Sequence, residues 1–233
     1  MIKVNYKWDE NNYSKFIEYL KKLGDDKTKE FNKRICNSNY EFIGIKMPVL
    51  KCIAKDIKNR NPYEFLEICK DKYYEEVMIE GLVIGNIKDE DLFAKYLNQY
   101  VYKIDSWALC DSCVSNAKIL GKSDFSDLAY SYILDTREYI IRVGYIILLN
   151  YYIDDEHIDT ILELCQKESD YYYVNMAISW LISECFVKYK AKTLELLKTR
   201  KLNVFVQNKA ISKIRESYRV TNEDKEIVNN LKK

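Results

Sequence analysis

The sequence predicts an all-α protein. Three observations carry that prediction. Glycine and proline are scarce, at 6 and 2 of 233 residues, and a β architecture needs many more turns than they supply. Apolar residues recur at spacings of three and four rather than two, the period of a helix face. Residues that start and stop helices recur at short intervals along the whole chain.

The elements follow in order. Asp9 precedes the amphipathic run NNYSKFIEYLKKL, which stops at Gly24. Pro48 opens VLKCIAKDIKN, and Asn61–Pro62 reads as an N-cap with proline at the first helical position, ahead of YEFLEICK. Gly81 and Gly85, four residues apart in VMIEGLVIG, predict two helices in close approach. Asp89 starts EDLFAKYLNQY. Gly121 closes one helix and Ser123 is placed to cap the next. Asp135 or Thr136 caps REYIIRVGYIILLNYYI, a β-branched run whose length and lack of partner strands favour a buried helix over a strand. Ser169 or Asp170 caps YYYVNMAISWLISECFVKY, and Thr221 with Asp224 resembles a capping box. Twelve to fourteen helices with short links result. Paired antiparallel helices in units of about 35–45 residues suggest a HEAT-like α-α solenoid, read as a single repeat domain over residues 1–233.

The chain is 48% hydrophobic and 31% charged, enough to bury a large core and too apolar for general disorder. MIKVNYKWDENN has no apolar leader, and the most apolar segment, residues 139–153, holds Arg142 and Asn150 and is too short for a membrane span. The expected location is the cytoplasm, without membrane contact. Seven scattered cysteines agree with a reducing compartment. The net charge is +1, which alone predicts no partner. Its distribution says more: from Lys198 to Arg219, seven basic residues against the single acid Glu216 leave +6. That stretch reads as a solvated helical face or as a surface for phosphates.

Several chemistries find no footing. The one histidine, His157, leaves no room for a histidine-rich metal site and makes a Ser-His-Asp triad improbable. Cys110 and Cys113 form a CxxC with no second CxxC and no nearby histidine, so they read as two buried cysteines on a helix rather than a metal or redox motif. No phosphate-binding glycine loop is present. What remains is Trp107 and Asp111, at i and i+4 on one helical face. Asp111 could face solvent while Trp107 packs inward, or both could face a ligand. Trp180 stands as core or ligand contact, and Arg142 as ion-pair partner or anion contact.

Taken together, YEFIGIKMPVLKCIAKDI (40–57), SWALCD (106–111), IIRVGYIILL (140–149), AISWLISE (177–184) and NKAISKIRESYRV (208–220) resemble the bacterial DNA alkylation repair glycosylases of the HEAT-like-repeat type, the AlkD family. The resemblance covers most of the chain. It implies a C-shaped solenoid whose concave face cradles duplex DNA, and a DNA glycosylase, a hydrolase of base excision repair, that releases N3- or N7-alkylated purines. It places the catalytic carboxylate on Asp111 and the paired tryptophans on Trp107 and Trp180. DNA contacts fall on Arg142 and, in the basic segment, on Lys209, Lys213 and Arg215. No metal and no organic cofactor is implied, the partner is double-stranded DNA carrying alkylated purines, and the expected state is a monomer. The competing readings are a non-catalytic HEAT-like protein that recognises DNA structure, and a protein-binding scaffold.

Overall fold

A computed structural model of the protein describes residues 7–233; the reading of the first six residues as part of a leaderless start lies outside them. Among the described residues fourteen α-helices alternate with short links, and there is no strand, only a lone parallel bridge between Glu41 and Tyr73. No helix among the described residues is long and apolar enough to cross a membrane. The helices fall into two compact units, one ending at Ser123 and the other running from Asp124 to Lys233.

The first unit holds α1 (Glu10–Lys22), α2 (Asp26–Cys36), α3 (Met47–Lys58), α4 (Pro62–Ile68), α5 (Tyr74–Ile84), α6 (Glu90–Tyr100) and α7 (Trp107–Asn116). Here α3 packs on α5 and α5 on α7, so alternate helices stack in series. The second unit holds α8 (Ser126–Ile133), α9 (Glu138–Tyr151), α10 (Ile158–Leu164), α11 (Tyr172–Lys188), α12 (Lys190–Thr199), α13 (Val204–Glu216) and α14 (Asn222–Asn229). In it α9 packs on α11 and α11 on α13, with α10 against α12 in a second layer. The β-branched run at 139–149 is helical, inside α9.

Some expected caps are in place. The carboxylates of Asp9 and Asp89 accept from Asn12 N–H and Leu92 N–H, both at 2.9 Å, and Thr221 accepts from Asp224 N–H at 3.2 Å. Asn61 occupies the N-cap position of α4 with Pro62 next to it, but its side chain makes no capping bond. Three expectations need correction. Ser123 does not cap α8: its hydroxyl goes to Glu90, and the helix starts three residues later behind Asp124, whose carboxylate accepts from Ser126 N–H at 2.9 Å. Neither Asp135 nor Thr136 is the cap of α9; Asp135 accepts from Arg137 N–H at 2.8 Å in the turn before it. Neither Ser169 nor Asp170 caps α11, since Ser169 is spent on Tyr171 N–H at 3.2 Å. Asp135 and Ser169 close local turns that compete with the helix start, while Ser123 is drawn to a tertiary partner. The sequence reading also passed over α2, whose cap Asp25 accepts from Thr28 N–H at 2.9 Å.

The core of the first unit is organised by α5, which is buried along its whole length, three glutamates included. Each is satisfied differently, as burial of a charge requires. The Glu75 carboxylate accepts the N–H groups of Ile43, Gly44 and Ile45 at 2.9, 2.8 and 3.2 Å. That curl of backbone needs Gly44, at φ +97°, where any Cβ would meet the Asp25 carbonyl at 2.4 Å. Glu76 accepts from Tyr73 N–H and the Tyr13 hydroxyl, both at 2.6 Å. Glu80 pairs with Lys103 Nζ, 2.9 Å from each oxygen; burial holds its carboxyl above the ordinary range while Lys103 pulls it down. Gly81 and Gly85 do mark close approach: a Cβ on Gly81 would sit 2.3 Å from the Tyr100 hydroxyl of α6, and one on Gly85 2.9 Å from the Cys113 carbonyl of α7.

Candidate nucleic-acid interface

In the first unit the candidate residues sit on α7. Ser106 is its N-cap, accepting Leu109 N–H at 3.5 Å, so Trp107 is the first helical residue and Asp111 lies one turn on. The two share the helix stripe that also holds Ala108, Ser112 and Ser115, none of them buried, and both are half-buried. Cys110 and Cys113 point the other way, at 0% and 1% exposure. Burial pushes the Cys113 thiol up to about 12, so it stays protonated and inert at neutral pH. The CxxC is therefore core, as expected, and no group of three or more His, Cys, Asp or Glu among the described residues is arranged to hold a metal ion.

The Trp107 indole is fixed. Its Nε1 donates to the Ile35 carbonyl in the last turn of α2 at 3.0 Å. Its ring forms one wall of an open cavity of about 720 Å³, with Phe31, Ile35, Met47, Leu50 and Tyr74 among the other walls. Asp105, just ahead of the N-cap, holds the segment after α2: its carboxylate accepts Asn39 N–H at 2.6 Å and the Ser38 hydroxyl at 2.9 Å. Burial raises the Asp105 carboxyl above its ordinary value, against those two bonds, which lower it. Sequence reasoning passed over Asp105; an acid next to a helix N-cap was its only local signal, and its partners lie more than sixty residues away.

In the second unit Trp180 lies on α11 with 37% of its surface exposed. Lys213 of α13 sits with Nζ 5.8 Å from the Trp180 ring centroid, a cation over a π face. Lys209, one turn before Lys213, is half-buried, and Arg215 is exposed. Arg142 on α9 is only 5% exposed, and one Nη donates to the Tyr173 carbonyl in the first turn of α11 at 2.7 Å. Two members of the basic segment are already engaged: Lys198 with Glu195 at 3.6 Å and Arg219 with Glu184 at 2.6 Å. His157 is the residue ahead of α10, bonded to Asp154 at 2.7 Å and edge-on to Tyr152. The third tryptophan, Trp8, is plain core, packed among Tyr13, Phe16 and Phe65.

A family model for the DNA alkylation repair enzymes matches residues 16–214. No curated protein and no solved structure matches the chain.

Proposed function

We infer a base-excision activity from the premise that this chain belongs to the DNA alkylation repair enzyme family: hydrolysis of the N-glycosidic bond of N3- or N7-alkylated purines in duplex DNA. An alkylated purine of this kind already carries positive charge and leaves without a general acid. The barrier lies at the sugar, which develops oxocarbenium character as the bond breaks. A fixed carboxylate stabilises that charge and orients the attacking water. Asp111 is the residue for this task, half-buried on the open stripe of α7 beside a tryptophan whose ring is tied down. Trp107 and Trp180 offer ring faces to the deoxyribose and the cationic nucleotide, which they attract electrostatically. Arg142 supplies the contact to a backbone phosphate, with Lys209, Lys213 and Arg215 adding sequence-independent attraction. The protein works as a monomer in this reading. The reaction needs no metal or organic cofactor.

The observation that carries the proposal is Asp111 on the same open helix stripe as the anchored Trp107. Incubation with duplex DNA containing N7-methylguanine or N3-methyladenine tests it. Release of free base is the expected result. Salt-sensitive duplex binding with no release would select a non-catalytic DNA-binding protein instead. Recovery of a protein partner with no DNA binding would select a scaffold.

A further inference from the structure

We propose that Asp105 is a positioning residue that sets the orientation of the Trp107 indole. Its effect on base release rests on the function proposed above; its effect on the indole does not.

The start of α7 and the end of α2 are joined at two points. From Trp107 the indole N–H reaches back to the Ile35 carbonyl, and from Asp105 the carboxylate reaches to Ser38 and Asn39. A third bond, from the Tyr40 hydroxyl to the Lys103 carbonyl at 2.7 Å, extends the join one step further along both chain segments. Between Ile35 and Ser38 the backbone must turn sharply, and it does so at Asn37, with φ +46°. Left-handed backbone at a non-glycine residue is strained and persists where neighbours hold it. The last carbonyls of a helix have no partner within it, so their direction depends on how that terminus is closed. Asp105 closes it: its single oxygen Oδ2 takes both the Ser38 hydroxyl and the Asn39 N–H, just past the turn. With that anchor, the Ile35 carbonyl is aimed at the indole. Without it, the Asn37 turn relaxes, the carbonyl swings away, and the Trp107 ring gains rotamers beside Asp111.

The test pairs a spectroscopic readout with kinetics. In ¹⁵N-labelled full-length protein the Trp107 indole N–H resonance is assigned as the one that disappears in Trp107→Phe. Asp105→Ala should move that resonance toward the position of a solvent-exposed indole. Single-turnover base release should fall about tenfold or more while duplex affinity stays within about twofold, because misplacement near the reacting atoms costs rate more than binding. Asp105→Asn keeps an acceptor oxygen for Ser38 and Asn39 and should restore both readouts. An unmoved indole resonance in folded Asp105→Ala protein would overturn the proposal, as would a loss of release with no change at the indole. Should Asp105→Ala not fold, Ser38→Ala, which removes one of the two donors, should shift the same resonance to a smaller extent; no shift there would also overturn it. If the wild-type protein releases no base, the proposed function fails, and the resonance alone still decides the role of Asp105.

Discussion

Trp107 and Asp111 share a face of α7, and that much was legible from a spacing of four. The indole's anchor was not, because Trp107 and Ile35 stand 72 residues apart and meet only once the first unit has folded. The same distinction separates the three tryptophans: composition treats them alike, while the fold buries Trp8, half-buries Trp107 and exposes Trp180. Cys110 and Cys113 show the reverse case, a motif-like spacing whose isolation from other ligands already pointed to core. At the charged residues a pH effect follows from Asp135. Its carboxylate lies 2.6 Å from Arg137, and hydrogen bonds from Arg137 draw its pKa from 3.8 to about 2. A depressed carboxylate stabilises the fold above its unfolded pKa, and the contribution fades as the pH falls through the folded one. Wild type should therefore unfold at a higher temperature than Asp135→Asn at neutral pH, and the gap should close as the pH drops from 3.8 to about 2. Melting curves across that range check it; a gap independent of pH would remove the ion pair as its cause.

At the scale of elements, the helices were legible and their starts were less so. Apolar period marks α1, α3, α6, α9, α11 and α13 because each buries one face or more against its neighbours. Capping residues misled at α8, α9 and α11, where Ser123, Asp135 and Ser169 make local or tertiary bonds that a one-dimensional pattern does not register. Helix α2 was missed because its core contribution is small: Cys36 is its one buried residue. The glycine pair formed by Gly81 of α5 and its C-cap Gly85 was legible for a steric reason that survives in three dimensions. Gly81→Ala would drive a methyl group into the Tyr100 ring, whose hydroxyl is itself buried. Overpacking of this kind costs about 1–3 kcal/mol. Urea unfolding of Gly81→Ala should show a lower midpoint with an unchanged slope; wild-type stability would mean that α5 and α6 separate at no cost.

Across the whole molecule, two compact units each repeat the same device, alternate helices stacked in series, which is what the recurring helix signals along the sequence encode. The boundary at Ser123 was not legible, since no linker composition or charge run marks it and the helix signals continue unbroken on both sides. Under the proposed function a near-neutral chain must concentrate its attraction for DNA locally, and the segment from Lys198 to Arg219 keeps a positive excess even after Arg219 and Lys198 are discounted for their partners. Reversing the charge at Lys209 and Lys213 should weaken binding to all duplex sequences alike and reduce the salt slope by about 0.9 for each phosphate no longer neutralised. Unchanged binding would exclude α13 from the DNA surface. The most direct measurement compares wild-type and Asp111→Asn protein for single-turnover release of N7-methylguanine, with duplex affinity measured in parallel. Release slowed by about a hundredfold or more, with affinity retained, is the predicted result for a carboxylate that stabilises the forming sugar cation. Release at the wild-type rate would contradict it.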